Sequence, residues 1–109
     1  MTWSETDTAT LAATADAVIV DVRETDEYEQ GHIPGATNIP LSALTESLDA
    51  VPSSGTVYVV CQAGGRSARA CEFLSQNDRF SSTQFVNVNG GTGAWILEGR
   101  EVVIGNKPA

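Results

Sequence analysis

The residues best suited to chemistry lie in and just after Val57-Tyr58-Val59-Val60-Cys61-Gln62-Ala63-Gly64-Gly65-Arg66-Ser67-Ala68-Arg69-Ala70-Cys71. Val57 to Val60 are β-branched or aromatic and uncharged, as in a strand buried on both faces. Gly64 and Gly65 predict a bend with positive φ. From Arg66 onward, Ala70, Cys71 and Leu74 recur at helical spacing, with Phe73 on the flank. A cysteine where a buried strand ends, facing a helix N-terminus, lies among unpaired N–H groups and the positive end of the helix dipole. Both favour an anion, which is the setting that turns a thiol into a thiolate nucleophile. The plainer reading, one more small apolar core residue, stays open at this point.

Three other groups bear on chemistry. Asp21 and Arg23 end the run Ala17-Val18-Ile19-Val20-Asp21-Val22 and point to the same face of an extended chain. As a solvated pair they would be worth under about 1 kcal/mol. His32 is the single histidine. It sits in a turn running into Ile33-Pro34-Gly35, so a structural role bonding backbone groups is expected over general-base work. Cys71 shares a helix face with Ser67, Ala70 and Leu74, which predicts a core thiol. A regulatory disulfide with Cys61 is left open.

The elements that must position these groups alternate along the chain. Thr2 to Ser4, around Trp3, suggests a short edge strand, and Thr8 or Thr10 a cap for a short helix through Leu11 to Ala13. After the strand ending at Asp21, Thr25 is the expected N-cap of a helix with Asp26 and Glu27 in its first turn, ended by Gly31. Ala36 to Asn38 suggests a short strand, and Ser42 the cap of a helix from Ala43 to Leu48. Pro52 to Gly55 reads as a loop, then come the central strand and a helix from Arg66 to about Gln76. Asn77 to Thr83 reads as loop and Phe85 to Val88 as strand. Gly90 and Gly91 turn the chain, and Thr92 is the expected cap of a helix carrying Trp95 and Leu97. The tail from Gly99 is expected to pack at most through Val102, Val103 and Ile104. This alternation predicts an α/β domain with a largely parallel sheet and helices on both faces. Ligands then bind beyond the carboxyl ends of the strands.

The bulk numbers fit one domain, 1–109. The chain has 109 residues, 41% hydrophobic and 18% charged, which excludes disorder. No apolar run approaches the roughly 20 residues of a bilayer span. The acidic, polar start is unlike a secretory signal, so a cytoplasmic location is expected. Two cysteines do not make a disulfide scaffold. The net charge of −8 is uneven: ten acids and one base precede Cys61, and four acids and five bases follow from it. Nucleic acid and anionic membrane are poor partners for that surface. The cations Arg66 and Arg69 nevertheless sit close to Cys61, where a small anion can be held. No His, Cys and carboxylate cluster has metal-ligand spacing, and no metal or organic cofactor is implied.

Cys61-Gln62-Ala63-Gly64-Gly65-Arg66-Ser67 resembles the active-site loop of the rhodanese sulfurtransferases. Asp21-Val22-Arg23-Glu24, Gly31-His32-Ile33-Pro34-Gly35-Ala36 and Asn38-Ile39-Pro40 resemble the first half of that domain, and Asn89-Gly90-Gly91-Thr92-Gly93-Ala94-Trp95 its closing helix. The resemblance runs from about Val18 to Arg100, with the motifs in family order. It implies a rhodanese-like fold in which Cys61 takes a sulfur atom from a small anionic donor such as thiosulfate and passes it to cyanide or a thiol. Gln62, Ala63, Gly64, Gly65, Arg66 and Ser67 would hold the persulfide, with Asp21 and Arg23 bracing the loop's mouth. A sulfur-accepting protein as partner, making the chain a persulfide carrier, shares this chemistry. A cysteine-dependent phosphatase or arsenate reductase and a non-catalytic binding module are the other classes to separate.

Overall fold

A computed structural model describes residues 2–109. Strands β1 (Ser4–Asp7), β2 (Val18–Asp21), β3 (Thr37–Asn38), β4 (Ser54–Val60) and β5 (Ser82–Asn89) alternate with helices α1 (Thr8–Ala12), α2 (Thr25–Gln30), α3 (Gly65–Ser75) and α4 (Gly91–Leu97). The five strands form one sheet in the order β1-β5-β4-β2-β3, and every pairing is parallel.

Side-chain alternation along the central strands builds two cores, one on each face. Val20, Val57 and Val59 pack with Ala70, Cys71 and Leu74 of α3 and with Leu44, Phe80 and Phe85. Ile19 and Val60 pack on the opposite face with Leu11 of α1, Tyr28 of α2 and Trp95 of α4. This is the period-two rule applied to a strand with no solvent face. The expectation of an α/β domain with helices on both faces is met.

Chain order makes the site. From β2 the chain moves outward to β3; from β4 it moves the other way, to β5. The carboxyl ends of β2 and β4 are therefore adjacent at a topological switch point, where parallel sheets open a crevice. Asp21 ends β2 and Cys61 follows β4.

Several local expectations are corrected. The edge strand begins at Ser4 and pairs Ser4 with Val86, whereas Trp3 packs on the core beside α3 and donates to Glu72. Helix caps fall one residue or more before the expected threonines: Asp7 caps α1, accepting from Thr10 N–H at 2.8 Å. Glu24 is the N-cap of α2, its backbone N–H bonding Glu27 Oε1 at 3.1 Å. Gly90 precedes α4, leaving Thr92 inside the helix and fully buried. Between Pro40 and Val51 there are only 3₁₀ turns, Leu41–Glu46 and Leu48–Ala50. There the N–H groups of Ala43 and Ser47 bond Pro40 O and Leu44 O, three residues back rather than four, and Leu44 still reaches the core. β4 starts at Ser54 and β5 at Ser82, so the polar flanks are strand residues paired with each other, and a 3₁₀ turn at Asp78–Phe80 buries Phe80.

The tail is held by its backbone more than by its side chains. His32 and Val103 exchange two backbone hydrogen bonds of 2.9 Å, Gly105 N–H bonds Glu29 O, and Gly35 N–H bonds Pro108 O. Val102 packs on the second core, but Ile104 is 70% exposed.

Candidate active site

Cys61 closes β4 on a backbone that folds back over its own sulfur. Gly64 adopts φ +112°, and its N–H bonds Cys61 Sγ at 3.1 Å. Gly65 needs no such freedom; it opens α3 with ordinary geometry, which corrects the reading that both glycines turn left-handed. Ser67 Oγ lies 3.3 Å from Sγ. Burial pushes the Cys61 thiol up, but hydrogen bonds offered to its thiolate form by the Ser67 hydroxyl and by the N–H groups of Ser67, Gly64 and Ala63 outweigh it and hold the thiol below its ordinary range. Cys61 is buried, 1% exposed, so its sulfur meets these donors with little competing water.

Cys71 is the opposite case. It has no exposure, and desolvation, with smaller repulsion from Glu5 and Cys61, pushes its thiol up to about 12. Both cysteines are free. Both thiols belong to the core beneath α3, yet they are shifted in opposite directions.

Asp21 and Arg23 are not a solvated pair. They are 0% and 3% exposed. Arg23 Nε and Nη2 bond the Asp21 carboxylate at 2.9–3.2 Å, and Nη2 also bonds Gly31 O at 2.8 Å. Nη1 reaches Gln62 Oε1 at 3.2 Å, so the guanidinium spans from β2 to the Cys61 loop. The apolar sheet end drives this: a buried charge is tolerated only when its fork is filled.

Arg66 is placed where sequence reasoning did not look. It forms a bidentate pair with Glu27 of α2 at 2.7 and 3.0 Å, and the two side chains are 31% and 33% exposed. Glu27 reads in sequence as part of a solvated acidic face, and only α2's docking beside the loop gives it a partner. The hydrogen bond from Arg66 holds the Glu27 carboxyl down at about 2, against 4.5 ordinarily. Stability from this pair is thus present above about pH 4.5 and lost as pH falls toward 2. Glu27 lines a cleft of about 370 Å³ whose walls also include Arg23, Gln62, Gly31 and Ile96.

Glu27 is an internal anion already seated on Arg66, so a small dianion must share or displace it. Glu27→Gln should tighten binding of sulfate or thiosulfate by up to about fivefold, the equivalent of an exposed ion pair. Calorimetric titration reads this directly; unchanged affinity would mean that the anion and Arg66 do not meet.

His32 is fully buried. Its ring stacks on Tyr28 at 3.7 Å, with Nδ1 2.9 Å from Tyr28 O and Nε2 2.8 Å from Lys107 O. It bonds backbone groups as expected. Asn87 on β5 is the other residue that sequence reasoning missed: it is buried, and its Oδ1 lies 2.5 Å from Ser67 Oγ. The available signal was a polar residue two positions from Phe85, on a core-facing register. Among the described residues no group of three or more His, Cys, Asp or Glu side chains is arranged to hold a metal ion, and no helix is long and apolar enough to cross a membrane.

The sequence model of the family described as Rhodanese-like domain matches residues 4–98. A "Sulfurtransferase" of Allochromatium vinosum is 33% identical over 100 residues, covering 92% of this chain and 91% of that protein. "Thiosulfate sulfurtransferase PspE" of Escherichia coli is 46% identical over 59 residues, which span 52% of this chain and 57% of the relative. The crystal structure of a rhodanese-related protein from Thermoplasma volcanium superposes with a TM-score of 0.81 at 36% identity, over 94% of this chain and 99% of that one. With the motifs in order, the parallel sheet and the cradled cysteine at its switch point, the chain belongs to the rhodanese-like domain family.

Proposed function

We propose that this protein is a sulfurtransferase that moves a sulfane sulfur through a persulfide on Cys61. The Cys61 thiolate attacks the outer sulfur of a donor such as thiosulfate; the S–S bond of the donor breaks and sulfite leaves with its electron pair. Cys61 then carries Cys–S–S⁻. A thiophilic acceptor, cyanide or a thiolate, attacks the outer sulfur, and the Cys61 thiolate departs. Two half-reactions sharing one covalent intermediate give ping-pong kinetics. The observation that carries this reading is the ring of donors at the Cys61 sulfur: the Gly64 N–H bonds it at 3.1 Å, and the Ser67 hydroxyl lies 3.3 Å away. Such a preorganised cradle stabilises charge on sulfur without reorganising during the reaction.

The ring is small. Four residues separate Cys61 from Arg66, which suits one outer sulfur atom better than a tetrahedral oxyanion. His32 is engaged at both ring nitrogens, so it is not free to protonate a phosphoryl leaving group. The relatives named as sulfurtransferases support the same reading.

Intact-protein mass after mixing with thiosulfate tests it. Wild type and Cys71→Ser should each gain one sulfur atom, and cyanide should remove it. Cys61→Ser should gain none. Cys61-dependent phosphate release from an aryl phosphate, with no persulfide formed, would overturn the proposal.

A further inference from the structure

The Ser67 hydroxyl has one proton and more than one claimant. Within reach of Oγ lie Asn87 Oδ1 at 2.5 Å, Gly64 O at 3.2 Å and Cys61 Sγ at 3.3 Å. A hydroxyl donates once and accepts through its remaining lone pairs. The orientation of the Asn87 amide decides the contest. Its Nδ2 faces Gly64 O at 3.3 Å, Glu5 Oε2 at 3.4 Å and Asn89 Oδ1 at 3.4 Å. A flipped amide would set oxygen against Gly64 O and Glu5 Oε2, neither of which can donate, so Oδ1 must be the atom that faces Ser67. Two oxygens 2.5 Å apart need a proton between them.

We propose that Asn87 is a positioning residue that holds the Ser67 hydroxyl proton away from Cys61, so that the free thiolate is disfavoured relative to the thiol and the persulfide. In the thiol state the chain runs Cys61 S–H to Ser67 Oγ, and Ser67 O–H to Asn87 Oδ1, with every group satisfied. When the thiol loses its proton, the hydroxyl must either turn to the sulfur, leaving Asn87 Oδ1 facing a lone pair, or stay and present a lone pair to the thiolate. Both arrangements cost the thiolate part of a charge-assisted bond. In the persulfide the negative charge sits on the outer sulfur, the inner sulfur is an uncharged divalent atom, and the proton returns to Asn87. The persulfide half of this inference rests on the proposed sulfur transfer; the thiol half does not.

The Arg66 guanidinium on α3 is paired with Glu27 and feels the charges of Cys61 and of Asp21 at the end of β2 only weakly. Arg23 is held by Asp21 and Gln62, and Glu27 of α2 by Arg66. Glu5 of β1 reaches Asn87 Nδ2 and, like Cys61, bears on Cys71 of α3. Arg69, further along α3, is exposed. No oxygen of Asp21, Glu27 or Glu5 accepts from Ser67.

The test is the pH dependence of Cys61 alkylation by iodoacetamide, in a Cys71→Ser background and without any sulfur donor. Asn87→Leu keeps the volume and removes the claimant, so the half-maximal pH should fall by about one unit, the equivalent of a charge-assisted hydrogen bond regained. Asn87→Ala should move it the same way, which covers a failure of leucine to fit. In Ser67→Ala the same Asn87 substitutions should leave the midpoint where Ser67→Ala alone puts it. A midpoint that stays or rises in both Asn87 variants overturns the proposal, as does a fall that persists without the Ser67 hydroxyl. After loading with thiosulfate, cyanide should discharge Asn87→Leu about threefold faster than wild type, because a less basic thiolate leaves faster. If no variant forms a persulfide, the sulfur-transfer reading fails, and the alkylation midpoints still decide the role of Asn87.

Discussion

Gly91→Ala should be among the most damaging single-methyl changes in this protein, lowering the thermal midpoint by at least about 10 °C and removing sulfur transfer with it. Gly91 has φ +59°, a left-handed conformation that costs an L-residue about 1–2 kcal/mol. A Cβ there would also lie 2.2 Å from Cys61 O, 2.7 Å from Gln62 O and 2.8 Å from Gln62 C. These are backbone atoms, pinned in turn by Thr92 N–H on Cys61 O and Gly93 N–H on Gln62 O, both at 2.9 Å. No side-chain rotation relieves the overlap, so overpacking adds roughly 1–3 kcal/mol and displaces the loop that holds the sulfur. Gly99→Ala is the control: its φ is +80° but nothing lies within 4 Å of the added methyl. Calorimetric midpoints for the two variants should separate widely. Equal midpoints would mean that the α4 turn does not press on the Cys61 loop.

Arg23→Met should cost about 3–5 kcal/mol in urea unfolding, because it leaves the Asp21 carboxylate buried without a counter-ion. Asp21 keeps only the Arg23 backbone N–H, at 2.9 Å. Lysine is no substitute. A single ammonium cannot serve Asp21, Gly31 O and Gln62 together, as the guanidinium fork does. Arg23→Lys is therefore expected to lose most of the same stability. An Asp21→Asn, Arg23→Met double variant, which removes both charges, should recover a large part of it while sulfur transfer stays impaired, since Gln62 has lost its anchor. A loss below about 1 kcal/mol for Arg23→Met would return the pair to the status of a surface contact.

What could be read from the sequence was whatever repeats along the chain. The uncharged run Val57–Val60 ends at Cys61, the glycine bend follows it, and α3 buries Ser67, Ala70, Cys71 and Leu74 on one face as their spacing requires. The turn carrying His32 likewise indicated a histidine occupied by backbone oxygens. What could not be read was anything decided by two distant segments meeting. Asp21 and Arg23 look solvated until β3 and the Cys61 loop close over them. Glu27 is one acid among many until α2 lies beside Arg66. Asn87 looks like a polar interruption in a strand until α3 brings Ser67 to its amide. The caps failed for a smaller reason: Asp7, Glu24 and Gly90 stand one or two residues before Thr8, Thr25 and Thr92, and so short an offset is settled by how the preceding strand ends.

The strand order carries a consequence for how the molecule is made. β1 is hydrogen-bonded to β5 alone, Ser4 opposite Val86 and Asp7 opposite Asn89, so about eighty residues of chain must be synthesised between one partner and the other. Pairings of such sequence separation are slow to form, because loop closure precedes any reward from contact. On the ribosome β2, β3 and β4 emerge before β5 and can associate, while β1 waits as an unpaired edge. The contact of Glu5 with Asn87, and through Asn87 the setting of Ser67 beside Cys61, is therefore among the last to assemble. The network behind the Cys61 sulfur, from Ser67 through Asn87 to Glu5, is complete only when β1 has found β5.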